Sequence, residues 1–154
     1  MIRNAKLTDI SAIQSVVRDF GTKGLMLPLS IGEITERIRD FYLYEIDNQI
    51  VGTIALHATW GTLAEIRSLA VLNQYQKKNL GYELMKFAIK EAVAIGATQL
   101  FALTYIPEFF KKFGFKIVDR STLPHKVWHD CIKCTKFPDC DEIAVLKDIM
   151  ENEE

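Results

Sequence analysis

The sequence predicts a mixed α/β domain, a central sheet with helices packed on it, and three observations predict it. A β-rich run, Glu65-Ile-Arg-Ser-Leu-Ala-Val71, leads into the polar loop Gln76-Lys-Lys-Asn-Leu-Gly-Tyr82. From Leu80 onward apolar residues recur at Leu84, Phe87, Ala88 and Ala92, the spacing of one helical face. Strand-like and helix-like segments alternate through the rest of the 154 residues, with no repeat, low-complexity linker or composition break dividing them. A chain of that length buries a sizeable core as one domain, 1–154.

Ile2 to Ala5 suits a short first strand. Thr8-Asp9 opens a helix whose buried face is Ile10, Ile13, Val16, Val17 and Phe20, with Gly21 favouring a stop. After the apolar loop Leu25 to Leu29, Ser30 is placed to cap a second helix over Ile31 to Arg39. Phe41 to Ile46 and Gln49 to Ala58 read as strands joined at Asp47-Asn48, a good hairpin signal. Leu63 to Val71 is the next strand, Asn79 to Ile95 the long helix ended by Gly96, and Gln99 to Thr104 an apolar strand. Pro107 opens a helix that Gly114 closes, Phe115 to Val118 returns as a strand, and Glu142 to Lys147 supplies the last one. Ser121 to Asp130 carries no decisive pattern, and the acidic Glu151 to Glu154 reads as a solvated tail.

A formal net charge of −1 argues against broad binding to nucleic acid or an anionic membrane. No apolar run reaches membrane-spanning length, and Met1-Ile-Arg-Asn lacks the apolar core of a signal peptide. The expectation is a cytoplasmic enzyme or binding module with a small-molecule ligand.

The polar loop carries the first chemistry. Asn79 and Gly81 can take backbone conformations that bulkier residues avoid. Amides opening a helix suit an anion, because they are unpaired and sit at the positive end of the helix dipole. Lys77 and Lys78 add charge where a pyrophosphate would lie. An ordinary strand-to-helix turn with solvated lysines is the competing reading of these residues taken alone.

Gln76-x-x-Asn79-x-Gly81 resembles the Q/R-x-x-G-x-G/A acyl-CoA loop of the GNAT N-acetyltransferases, with Asn79 in place of the first glycine. Phe110-Lys-Lys-Phe-Gly-Phe115 resembles that family's short-helix ending, and the order β-α-α-β-β-β-α-β-α-β-β is similar to the family's from end to end. The resemblance implies a mixed, mostly antiparallel sheet whose central strands splay, and acetyl-CoA as co-substrate. It assigns the pantetheine arm to Leu69, Ala70 and Val71, with the Val71 amide polarising the acetyl carbonyl as an oxyanion-hole donor does. It assigns the pyrophosphate to Gln76, Lys77, Lys78, Asn79, Leu80, Gly81 and Tyr82, and places Phe110 at the cofactor.

Amine acetylation needs a proton taken from the incoming ammonium and one given to the departing thiolate. Glu65 is the candidate base; a surface glutamate, or a partner for Arg67, is the competing reading. Many members of the family have a tyrosine as the acid where this chain has Phe110, which cannot donate. Thr104 and Tyr105 are the nearest alternatives, the phenol having the more suitable ordinary pKa, about 10; a bound water is another.

A narrower resemblance covers roughly Glu65 to Val145. The run Glu65 to Val71, Phe101-Ala-Leu-Thr-Tyr105, Pro107-Glu-Phe-Phe110, Leu123-Pro-His-Lys-Val-Trp128, Asp130-Cys-Ile-Lys-Cys134 and Cys140-Asp-Glu-Ile-Ala-Val145 are similar to the short, stand-alone N-acetylglutamate synthases. It implies L-glutamate, or L-glutamine, as acceptor in the first step of arginine biosynthesis, with Glu65 as base, Ser68 near the acetyl group and Thr104 assisting the thiolate. Two carboxylates need cations, ideally a forked guanidinium. Arg67 and Lys126 are the candidates, followed by Arg18 and Arg37, while His125 and Trp128 shape the pocket or the core. A GNAT enzyme for another amine (a polyamine or peptide N-terminus) and a non-catalytic acyl-CoA sensor, suggested by Phe110, are the alternatives. The resemblance also allows a homodimer.

His129, Cys131, Cys134 and Cys140 form a separate cluster. Cys-x2-Cys is a familiar zinc spacing that His129 or Asp141 would complete, but it lacks a second paired half. Reduced structural thiols and a reversible disulfide are the other readings.

Overall fold

The computed structural model describes residues 1–21, 29–124, 127 and 142–149. In chain order it contains β1 (Ile2–Asn4), α1 (Ile10–Gly21), α2 (Ile31–Glu36), β2 (Phe41–Ile46), β3 (Gln49–Trp60), β4 (Leu63–Val71), α3 (Leu80–Ala94), β5 (Gln99–Thr104), α4 (Pro107–Lys111), β6 (Lys116–Val118) and β7 (Ile143–Asp148). This is the expected succession. The seven-stranded sheet has the order β1-β2-β3-β4-β5-β7-β6. The β1–β2, β2–β3, β5–β7 and β6–β7 pairs are antiparallel and β4–β5 is parallel. Among the described residues no helix is long and apolar enough to cross a membrane. The chain divides into two compact units, Met1–Leu56 with Ile66–Glu91, and His57–Glu65 with Ala92–Glu153.

In the first unit, Arg3 fastens β1 to the turn before α1 and to the end of β2. Its guanidinium forks onto both carboxylate oxygens of Asp9 at 2.8 and 3.0 Å, and its Nε donates to Glu45 at 2.7 Å. The Asp9 carboxylate also accepts the Lys6 N–H, which tightens Leu7–Asp9 into a 3-10 turn. The α-helix therefore starts at Ile10, two residues later than the Thr8-Asp9 signal suggests. Ile13, Val16 and Val17 are buried as expected. Ile13 and Val17 share a cluster with Ile34, Phe41, Leu43 and Ala55.

Ser30 caps α2 with a full capping box, its hydroxyl accepting from Glu33 N–H while the Glu33 carboxylate accepts from Ser30 N–H. The helix stops at Glu36 rather than Arg39. Ile38–Asp40 tightens into a 3-10 turn, which hands the chain to β2 at Phe41 with no intervening loop. Asp47 (φ 49) and Asn48 (φ 64) both take the left-handed conformation that a two-residue type I′ hairpin requires.

Helix α3 lies on β3 because Gly52 leaves room for it. A Cβ on Gly52 would stand 3.0 Å from Leu84 Cδ1. Leu80, Leu84, Met85, Ala88 and Ile89 are buried, and each of the four larger side chains contributes about 1.5–3 kcal/mol. Phe87 is half-buried, with its ring edge-on to Tyr42 at 5.1 Å.

In the second unit, α3 ends in a Schellman motif. Ala97 N–H reaches Ala92 O and Gly96 N–H reaches Val93 O, both at 3.0 Å, with Gly96 at φ 86. Strand β5 pairs with β4 over Leu63–Glu65 against Gln99–Phe101, and with β7 along its full length, from Gln99↔Asp148 to Thr104↔Ile143. Leu63, Phe101, Leu123, Val127 and Ala144 form this unit's core. Phe115, expected to begin β6, gives its N–H to Phe110 O instead, so the ladder starts one residue later at Lys116↔Leu146.

Candidate functional site

The end of β4 and the loop after it fall within the first unit. Leu72 N–H donates to Val51 O on β3 at 2.8 Å. Strand amides alternate in direction, so those of Leu69 and Val71 point away from β3. That is the edge expected to meet the pantetheine arm, with Ala70 buried beneath it. The loop itself is a 3-10 turn, Asn73–Lys78, that ends on Asn79 in the left-handed region at φ 62, ψ 21. Asparagine thus adopts the conformation that glycine would supply at this step. The first i→i−4 bond of α3 runs from Glu83 N–H to Asn79 O. The amides of Leu80 and Gly81 precede it, at the positive end of a helix spanning Leu80–Ala94.

Gln76 has a role that its spacing does not reveal. Its side-chain amide donates to Val71 O at 3.1 Å, closing the loop back onto the end of the strand. Lys77 and Lys78 are exposed, and the Lys78 ammonium sits 5.3 Å above the Tyr75 ring, which holds its charge on the loop. Tyr82 is exposed in the first turn of α3, with Lys86 above its ring at 5.6 Å. The loop therefore combines a left-handed step, outward amides and cationic side chains, the requirements for a diphosphate.

Just upstream, a cleft that opens to solvent is lined by Arg37 and Arg67, Glu33 and Asp40, and Ser68. Leu29, Phe41 and Ala55 give it an apolar wall. The structure thus brings Arg67 together with Arg37, which the sequence ranks behind Lys126. Arg18 is exposed on α1 and does not line this cleft. Lys126, His125, Trp128, His129, Asp141 and the cysteines 131, 134 and 140 lie outside the described residues.

Sequence reasoning misses the conformation of Ser68. In the middle of β4 it has φ +53, a left-handed step rare for a residue with a Cβ and costing about 1–2 kcal/mol. Arg67, Ser68 and Leu69 are all half-buried. The Ser68 carbonyl accepts from Thr53 Oγ1 at 2.8 Å, and Thr53 is fully buried. Neither residue announces this, because serine and threonine both occur in ordinary strands.

Glu65 is 7% exposed, which removes the surface-glutamate reading. It and Arg67 both take part in interactions within the protein. In the second unit, Thr104 is buried at the end of β5, its hydroxyl accepting the Ile106 N–H at 2.9 Å, so the hydroxyl proton points away from that amide. Tyr105 follows it, half-buried. Phe110 is 4% exposed and packs edge-on against Phe109 and Phe115 at 5.8 and 5.3 Å.

Residues 37–117 match the family model described as an acetyltransferase (GNAT) domain. An uncharacterised N-acetyltransferase of Chlorobaculum tepidum is 39% identical over 146 residues, covering 95% of this chain and 94% of that protein. An amino-acid acetyltransferase of Mycobacterium tuberculosis is 26% identical over 133 residues, or 84% of this chain and 76% of that protein. The solved N-acetylglutamate synthase of Neisseria gonorrhoeae, complexed with coenzyme A and N-acetyl-glutamate, superposes with a TM-score of 0.88 at 27% identity. That match covers 97% of this chain and 35% of that one, so the chain spans about a third of the larger protein.

Proposed function

Because the chain belongs to the GNAT acetyltransferase family, with acetyl-CoA as co-substrate, we propose that it acetylates the α-amine of an amino acid, L-glutamate or L-glutamine, as in the first step of arginine biosynthesis. The observation that carries the acceptor is that two arginines, Arg37 and Arg67, line one cleft with Ser68. A forked guanidinium pairs with a carboxylate through two parallel N–H bonds, and two forks suit an acceptor with an oxygen-bearing group at each end. The N-acetylglutamate synthase complexed with N-acetyl-glutamate, and the amino-acid acetyltransferase relatives, support the same class.

On this reading the loop amides from Gln76 to Tyr82, with Lys77 and Lys78, hold the pyrophosphate, and the outward edge of Leu69–Val71 pairs with the pantetheine arm. Glu65 takes the ammonium proton, directly or through water. The amine nitrogen then forms its bond to the acetyl carbon while the Val71 amide stabilises the oxygen. The C–S bond breaks, the nitrogen gives up its second proton as the amide forms, and the departing thiolate takes up one proton, with Thr104 and Tyr105 as the candidates to relay it.

A second reading rests on Glu33 and Asp40 in the same cleft. Two carboxylates there would favour a cationic acceptor such as a polyamine or a peptide N-terminus. Thiol release from acetyl-CoA, measured in parallel with L-glutamate, L-glutamine, spermidine and a short peptide, separates the two. Turnover confined to the amino acids, with Arg67→Ala raising the acceptor KM more than the acetyl-CoA KM, supports the first. Turnover confined to spermidine or the peptide replaces it, and acetyl-CoA binding without turnover on any acceptor points to a sensor.

A further inference from the structure

The fully buried hydroxyl of Thr53 has one visible engagement, its donation to Ser68 O at 2.8 Å. Thr53 sits on β3 opposite Leu43 of β2 and shares its strand face with Val51 and Ala55, all buried. A valine would fill that space without bringing a polar group into an apolar layer, where an unmatched hydroxyl is costly. The hydroxyl is therefore committed to the carbonyl of the one β4 residue whose backbone is left-handed.

That carbonyl belongs to the peptide plane joining Ser68 to Leu69. A trans peptide points its C=O and N–H in opposite directions. Holding Ser68 O toward β3 therefore aims Leu69 N–H away from β3, at the edge assigned to the pantetheine arm. It also fixes the turn of the chain between Arg67 in the cleft and Val71. The neighbouring strand is close enough to hold this geometry firmly, since a Cβ on Gly52 would lie 3.4 Å from Ala70 O.

We infer that Thr53 is a positioning residue, which sets the Ser68–Leu69 peptide plane and so presents the Leu69 N–H to the acyl-CoA thioester arm. This rests on the acyl-CoA edge of the proposed function, and the test separates the two. Amide exchange at Leu69, followed by NMR in the wild-type protein with and without acetyl-CoA, reports on that edge; protection by acetyl-CoA is expected. Acetyl-CoA affinity is then measured by calorimetry for Thr53→Val, Thr53→Ala and Thr53→Ser. Thr53→Val should weaken binding about 5- to 10-fold, the worth of one hydrogen bond, with the acceptor KM changed much less. Thr53→Ser should restore affinity to within about 2-fold by returning the donor. Thr53→Ala repeats the deletion without the extra methyl should the valine variant fail to fold.

A folded valine or alanine variant with wild-type affinity overturns the inference while leaving the edge assignment intact. A serine variant as impaired as valine overturns it too, because the hydroxyl would then not be what matters. Absence of Leu69 protection in the wild type overturns the edge assignment and the inference with it.

Discussion

Asn79 offers a direct test of the anion loop, because its conformation puts a size on the effect. At φ 62 and ψ 21 it occupies a region where a Cβ crowds the following carbonyl, at a cost of about 1–2 kcal/mol. Asparagine offsets part of this with its short polar side chain; alanine has nothing to offset it with, and valine adds a branch at Cβ. The strain in Asn79→Ala has two outlets. If the loop keeps its shape, the cost appears as lost stability; if it relaxes, its amides turn away and the cost appears as lost CoA affinity. The two losses should sum to the part that asparagine offsets, at most about 1–2 kcal/mol, which is no more than a 5- to 30-fold weaker Kd if all of it falls on binding. Asn79→Gly should lose neither, since glycine takes positive φ readily. Calorimetric CoA titration and urea denaturation on the same three variants measure both terms. Alanine and valine variants with unchanged affinity and unchanged stability would refute the reasoning, as would a glycine variant as impaired as valine.

Glu65→Gln should lower kcat by about 100-fold or more at neutral pH while leaving the acetyl-CoA Kd within about 2-fold; equal loss of both would make Glu65 structural. The Arg3 fork, chiefly through its hydrogen bonds, holds the Asp9 carboxyl below its ordinary range. A carboxyl depressed in the folded state stabilises the protein above its unfolded pKa of about 4, and that contribution is lost as pH falls through the folded value. Arg3→Met should therefore cost about 1–2 kcal/mol at neutral pH, discounted for partial exposure, and flatten the acid limb of the stability profile; urea midpoints across the acid range check this. Gly52→Val should drive its methyls onto Leu84 and cost about 1–3 kcal/mol, read as a lower Tm.

Strand and turn chemistry was legible where local rules act alone. The bounds of β2, β4 and β5, the Asp47-Asn48 hairpin and the Ser30 cap follow from alternation, left-handed tolerance and side-chain capping. Boundaries moved where a group a few residues away captured a carboxylate or an amide. Arg3 and the Lys6 amide recruit Asp9 into a 3-10 turn, and the end of α4 takes the Phe115 amide from the β6 ladder. At the candidate site, Asn79 was readable because its side chain suits the backbone state it adopts. Ser68 was not, since a hydroxyl contributed from β3 accompanies its left-handed step. Arg37 entered the cleft through the 3-10 step after α2, a change of path that helical periodicity does not foresee.

The position of β7 has a consequence for the order in which the protein is made. Residues 143–148 lie between β5 and β6, so both strands leave the ribosome well before the strand they will flank. Gln99 waits for Asp148, 49 residues later, to complete its side-chain hydrogen bond. Until then the nascent chain carries exposed strand edges, which chaperones shield and aggregation exploits. A premature stop codon ahead of Ile143 would therefore leave β5 and β6 without their common neighbour, a lesion for cellular quality control rather than a shortened enzyme.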